Sequence, residues 1–595
     1  MKATVAGLLL LLTSMTGKSQ VKVGFEVSFT EPQAHYAEVQ MNISGLEKDY
    51  VDVKMPVWTP GSYLVREFAR NVESFKASSG GKALRFEKIR KNAWRIYTGK
   101  AKQVSIDYRV YAFEISVRTP FIDDSHAFLS SSAIFMYPDG MLDLPSTVQI
   151  KPFKGWEKVS TGLEPVAGKT FTYTAPNFDL LYDSPIEVGN QDVFEFTAAG
   201  VKHEVAMFGG GNYDKERLKT DMAKIVEQAT AIYGENPNQH YTFIVHNFQQ
   251  GGGGLEHLNS TVLGASRDGY ADEKKYKGFL GLVAHEYHHL WNVKRLRPIA
   301  LGPFDYENEN YTTDLWIAEG FTSYYEHKLM LRAGFFDQQE TVQTLADAIS
   351  VVMNTQGSRI QSASEASYDA WIKAYRPNEN SSNSTISYYN KGEIIGLLMD
   401  LEILHATGGA KNLDDVMKAM YTTYYKEKGR GYTDAEFKAM AEKISGISFD
   451  SFWDKYVNGT VPVEYEKYLG YAGIKVKDLY AGNNTPYIGA GFKKIEGSMT
   501  VSVVVRGTAA WDGGLNVNDE VISVDSVPIE EAPDKMPVIT SKKPGDTVTF
   551  TVIRNGLIRS VPLKLKANPN VKLEATIDPS ATAAQMKMRE GWLRK

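Results

Sequence analysis

Cysteine is absent from all 595 residues. That excludes disulfides, thiolate metal ligands and cysteine nucleophiles together, so any metal must be held by His, Asp or Glu. Charge of one sign is also lacking. The net charge is only -5, which offers nothing to draw nucleic acid or an anionic membrane. There is no low-complexity tract, and no run after the N-terminus approaches the ~20 apolar residues of a membrane span.

The N-terminus itself, "MKATVAGLLLLLTSMTGKSQ" (1–20), has a basic start, an apolar stretch and then small polar residues. This pattern is that of a secretory signal peptide. No cysteine follows it to carry a lipoprotein anchor. The expectation is an exported chain, periplasmic or extracellular, soluble after removal of the leader and without an integral membrane segment.

The length is too great for one hydrophobic core and predicts several domains. Residues 21–190 are rich in strand formers that alternate with polar residues, as in "VKVGFEVSFTE" and "VSIDYRVYAFEISV", and predict an all-β domain of sandwich type. From 191 to 470 helical spacing dominates, in "KERLKTDMAKIVEQATAIYG", "GFLGLVAHEYHHLWNVKR", "LWIAEGFTSYYEHKLMLRAG" and "KGEIIGLLMDLEILHATGG", interrupted by one strand-like run, "YTFIVHNF". Strands return over 471–568, followed by a polar tail, 569–595. The fold class is therefore multidomain α+β.

Within "HEYHHLWNVKRLRP" two histidines have metal-ligand spacing. His285 and His289 stand at i and i+4 and share one helix face, so both imidazoles reach one ion. Glu286 is angled toward the same site without having to ligate, and can accept a proton from a metal-bound water. His288 lies about 100° round the helix from His289 and is expected to be packed or solvated. A catalytic zinc normally takes three protein ligands. Downstream, "DLWIAEGFTSYYEHK" offers Glu319 as the third, and Glu326 as a group that orients a histidine from behind.

On these residues the chain resembles the gluzincin metallopeptidases, whose catalytic domain is thermolysin-like. "WIAEG" is similar to their third-ligand helix, "QGGGGLEHLN" to their G-x-M-E-N segment and "YYNKG" to their Y-x-K-G segment. The resemblance implies that Glu256 binds the substrate's free amino group, beside Gly253 and Gly254, and that Tyr389 stabilises the oxyanion, with the adjacent Tyr388 as the alternative. His257 stands where the group has Asn and Leu255 where it has Met. The interval from His289 to Glu319 is long, with "RLRPIALGPFDYENENYTTD" inserted. These departures, together with "MPVWTPGSYLVREFARN" at 55–71, resemble the glycyl aminopeptidase family. Membership would imply one zinc ion and removal of small N-terminal residues, glycine and alanine, from peptides with a free N-terminus. An endopeptidase on the same site and an inactive peptide-binding scaffold are the alternatives.

In the last module "YIGAGF" (487–492) is similar to the carboxylate-binding loop of PDZ domains, which implies a groove for a peptide C-terminus. His126, after "DDS", reads as a solvated turn.

Overall fold

The computed structural model describes residues 21–594. The leader read from residues 1–20 lies outside the described residues. Among the described residues no helix is long and apolar enough to cross a membrane.

Residues 21–190 form three sheets around one core. The largest has eight strands; its centre is Lys22–Ser28, Tyr36–Ser44 and Gln103–Tyr111. Their burial alternates residue by residue, so the inward set (Phe25, Val39, Met41, Ile106, Tyr108) packs on Val53, Trp94 and Ile96 of a four-stranded sheet. This period of two is what made the domain legible as β from its sequence.

The next unit opens differently from expectation. In place of a single strand it has a five-stranded sheet, with strands in the order Asp192–Ala198, Val201–Phe208, His240–Phe248, Ser260–Ser266 and Gly254–Glu256. The three inner strands are parallel, and helix Lys215–Tyr233 makes the crossover between the second and third. Strand Ser260–Ser266 is buried on both faces, so its small residues carry no alternation to read. Gly254–Glu256 is an edge strand and leads the chain to the floor of a cleft.

Helix Glu273–His288 carries the histidine pair. Residues Trp316–Phe321 form one turn of π-helix that runs into helix Thr322–Arg332, and Tyr388–Ala406 packs across that turn. The last helix is almost wholly buried, which is why its apolar residues surround it instead of forming a stripe.

At the C-terminal end Ala490–Ile495, Ser498–Val504, Glu520–Val524, Thr547–Arg554 and Leu557–Lys564 build one sheet with its own core. The expected boundaries at 471 and 569 do not describe the flanks of this module. Ile474–Asp478 pairs with Leu573–Ile577, and the pair lies on helix Gln338–Asn354, whose Gln343 Nε2 donates to the Leu573 carbonyl at 3.0 Å. Helix Ala583–Trp592 follows, and Trp592 is buried with its indole N–H donating to the Tyr324 hydroxyl at 2.8 Å. The polar "tail" is thus a structured return to the catalytic unit. One Trp and one strand anchor it, and its exposed remainder gives it the polar composition.

Candidate active site

His285, in the last turn of Glu273–His288, and His289, the residue that caps its end, face Glu319 on the π-helical turn. One ligand atom from each lies within 4.8 Å of the others. His289 Nε2 is 3.1 Å and His285 Nε2 3.7 Å from the same Glu319 oxygen. The far nitrogens are also engaged, His289 Nδ1 with the Asn292 carbonyl at 2.8 Å and His285 Nδ1 with Glu326 at 3.5 Å.

This pattern tests the metal reading. The Asn292 carbonyl can only accept, so His289 Nδ1 carries a proton and Nε2 is the nitrogen turned to the Glu319 carboxylate, an N–H donor in the imidazolium and a free ligand atom once that proton is lost. At 3.1 Å the two atoms are bridged by that proton or, in its place, by a cation. The donor set of two imidazoles and one carboxylate, each tied from behind, is that of a catalytic zinc centre, so the residues fit the ion. Burial acts to raise the Glu319 carboxyl, but His289 and His285 hold it down at about 2, so it is ionised and ready to ligate.

Glu286 stands beside this group and outside it. A Cβ on Gly254 would lie 2.2 Å from its Oε1, so the edge strand approaches the carboxylate as only glycine allows. Burial pushes the Glu286 carboxyl up to about 7. Glu256, Glu286 and His289 also bring ligand atoms within 4.8 Å of one another, which puts the strand's last carboxylate at the same centre. The cavity they line, about 600 Å³, includes Tyr389, whose ring is 6.3 Å from that of His285. Burial pushes its phenol well above the usual range, so it is a donor at neutral pH. Tyr388 is buried behind it and does not line the cavity. His288 is packed on Tyr325 and bonded to Tyr233, away from the centre.

Two contributions come from the N-terminal domain: Gly61 in the "PVWTPGSY" turn, for which the sequence leaves open a structural role or a border of the cleft, and Arg118, which it does not single out. Gly61, at φ +81°, puts the turn Thr59–Ser62 against Glu256: a Cβ there would be 2.5 Å from its Oε1. Arg118 reaches Gly254 and is half-buried in the cavity wall. Neither belongs to a pattern with a period or spacing.

His126 is corrected. It is buried, with Nδ1 2.7 Å from one oxygen of Glu187 while His246 Nε2 is 2.9 Å from the other. Burial would raise the Glu187 carboxyl, but the two imidazoles reverse this and hold it below its usual range. His126 and Glu187 come from the β-domain and His246 from the five-stranded sheet, so the trio clasps the two units. Its distances are those of closed hydrogen bonds.

The helices carrying Glu319 and Tyr389 meet at glycine. A Cβ on Gly320 would lie 2.4 Å from Gly392 Cα, and one on Gly392 would lie 2.3 Å from the Trp316 carbonyl oxygen. Both obstacles are backbone and cannot rotate away. Gly392→Ala is expected to cost about 1–3 kcal/mol and to lower kcat of the folded fraction, because the clash separates Glu319 from Tyr389. Thermal unfolding and kcat measured together check this; wild-type values of both would show that the helices can part without consequence.

A fold with a β-rich N-terminal unit, a catalytic unit whose cleft gathers these groups, and a C-terminal β-module defines a peptidase. Three family descriptions match: the Peptidase M61 N-terminal domain over residues 24–190, the M61 glycyl aminopeptidase over 278–395 and the PDZ domain over 486–565. The chain thus carries an M61 N-terminal domain, an M61 glycyl aminopeptidase domain and a PDZ domain over these residues. It is similar to an aminopeptidase N family protein from Idiomarina loihiensis, at 29% identity over 96% of this chain and 100% of that one, with a TM-score of 0.89. Looser likenesses are to the M1 zinc metallopeptidase from Deinococcus radiodurans (12% identity, 75% of this chain and 97% of that one, TM-score 0.47) and to yeast LTA4 hydrolase (14%, 74% and 68%, 0.44). No curated protein matches the chain.

Proposed function

We propose that the chain is a zinc-dependent aminopeptidase that removes a small N-terminal residue, glycine or alanine, from peptides. The observation that carries this is the closure of the cleft at Glu256. The edge strand ends there, the turn at Gly61 abuts the carboxylate from the other side, and the same carboxylate lies at His289 and Glu286. A peptide laid along Gly254–Glu256 therefore cannot extend past Glu256, and its ammonium pairs with that carboxylate one residue from the reacting carbonyl. An endopeptidase would need the cleft open at this point. The tight turn at Gly61 also leaves little room for a large first side chain.

Zinc bound by His285, His289 and Glu319 would supply Lewis acidity, acidifying water and polarising a carbonyl. Glu286 then takes the proton from the attacking water and returns it to the leaving amine. Tyr389 donates a hydrogen bond to the oxygen on which negative charge develops. Glu256 fixes the distance by which the substrate enters, and Asn292 and Glu326 hold the histidine rings.

The test is hydrolysis of glycyl-p-nitroanilide against its N-acetyl form. The free amine is expected to be cleaved in a chelator-sensitive reaction and the acetylated form refused. Glu256→Ala is expected to lower kcat/KM for the free amine by about tenfold to a hundredfold, as loss of one charged hydrogen bond implies. Equal cleavage of both forms by the wild type would remove the amine-anchoring role.

A further inference from the structure

Arg118 comes from the β-domain, far in sequence from every other group in the cleft, yet its guanidinium lies against the edge strand. Nη2 donates to the Gly254 carbonyl at 3.2 Å, and Nη1 is 3.9 Å from where a Cβ of Gly253 would stand. Nε is buried without a hydrogen-bond partner. Its charge is felt by Glu286 and Glu256 only through space; no side-chain carboxylate bonds to it among the described residues. A guanidinium held at a cleft wall with donors unused is arranged for a ligand that accepts.

The position of that ligand follows from the edge strand, and this step rests on the function proposed above. A substrate whose ammonium is at Glu256 and which adds to the free edge runs back past Leu255 toward Gly254 and Gly253. At about 3.3 Å per residue, two residues of extended chain bring the end of the second residue opposite these glycines, at the guanidinium. In a dipeptide that end is the free carboxylate. In a longer peptide it is a carbonyl, which offers one neutral oxygen where the carboxylate offers two charged ones.

We propose that Arg118 forms the carboxylate subsite of this cleft and that dipeptides with both termini free are the favoured substrate class. Glu256 and Arg118 then hold the two ends of one zwitterion, with Glu286 between them. The planar guanidinium suits a carboxylate better than an ammonium would, because it presents two parallel N–H donors. Lys275 also lines the cavity, but it is exposed at the mouth, where water screens it.

The experiment compares glycyl-alanine with glycyl-alanine amide, as kcat/KM in the wild type and as Kd by calorimetry in a Glu286→Gln background that does not turn over. The free carboxylate is expected to be favoured by about tenfold to a hundredfold in both readouts. In Arg118→Met the preference should disappear, and in Arg118→Lys it should be partly kept. Because each ratio is taken within one preparation, partial unfolding of a variant does not affect it. A wild type that cleaves glycyl-p-nitroanilide but treats acid and amide alike would overturn the subsite while leaving the aminopeptidase reading in place. Undiminished preference in Arg118→Met would also overturn it, and would point to Lys275. Failure of the wild type to bind or cleave any free-amine peptide would remove both.

Discussion

Glu286→Gln is expected to keep its zinc and its fold and to lose about 10²–10⁴ in kcat. The side chain is buried beside the ligand group, and its Oε2 has no hydrogen-bond partner in the protein. An orphaned carboxylate oxygen at that depth is costly unless something outside the chain bonds to it. Water and the leaving amine are the groups that the proposed reaction brings there. Burial pushing the carboxyl up to about 7 is in the direction a proton carrier needs at neutral pH, although a bound cation will draw it down again. Glutamine has the same shape and fills the space against Gly254, so packing is kept while the basic oxygen is lost. Metal content, thermal unfolding and kcat on glycyl-p-nitroanilide check the three parts of this result. Normal turnover would show that the base lies elsewhere. Loss of zinc along with activity would make Glu286 a ligand instead.

The chemistry of this centre was legible because it is local. The i, i+4 pair His285 and His289 is set by helix geometry alone, and "WIAEG" and "YYNKG" each keep a candidate site residue within three positions of the glycine at which their two helices touch. What was not legible is whatever depends on distant chain segments meeting. Arg118 and Gly61 enter the cleft from a domain whose sequence shows only strand periodicity. His126 follows an Asp123–Ser125 turn that does exist, with Ser125 N–H donating to Asp123 at 2.8 Å, but the imidazole turns inward to a carboxylate sixty-one positions on. In the central sheet His240–Phe248 and Ser260–Ser266 are buried on both faces and Gly254–Glu256 has only three residues, which removes alternation. The C-terminal segment was read as a tail because most of its residues are polar. Its few contacts with the catalytic unit decide its position, and composition does not weigh them.

One of those contacts belongs to the charge network with the largest expected effect on stability. Asp414 accepts from Arg332 Nη2 at 2.7 Å, Tyr325 Oη at 3.0 Å, Lys328 Nζ at 3.3 Å and Arg594 Nη2 at 3.0 Å; Lys328 also donates to Asp400 at 2.7 Å. Apart from Arg594, these groups are buried under helix Thr322–Arg332, which continues directly from the turn carrying Glu319. Asp414→Asn leaves Arg332 with a neutral partner and Lys328 with Asp400 as its one carboxylate in a dry environment, and removing one member of such a set costs about 3–5 kcal/mol. In a unit of this size that corresponds to a Tm lower by about 5–15 °C. The pH dependence gives the sharper check. Burial alone would raise the Asp414 carboxyl, but Lys328 and Arg332 more than reverse this and hold it well below the usual carboxylate range. A carboxyl lowered on folding contributes stability that is present above its unfolded value, about pH 4, and is lost as pH falls below that toward the folded value. The Tm gap between wild type and Asp414→Asn should therefore be full at pH 7.5 and narrow below about pH 4. Calorimetric scans at pH 7.5, 5 and 3.5 measure it directly. A gap that is the same at all three would mean that Asp414 acts through shape and hydrogen bonds, with its charge contributing nothing.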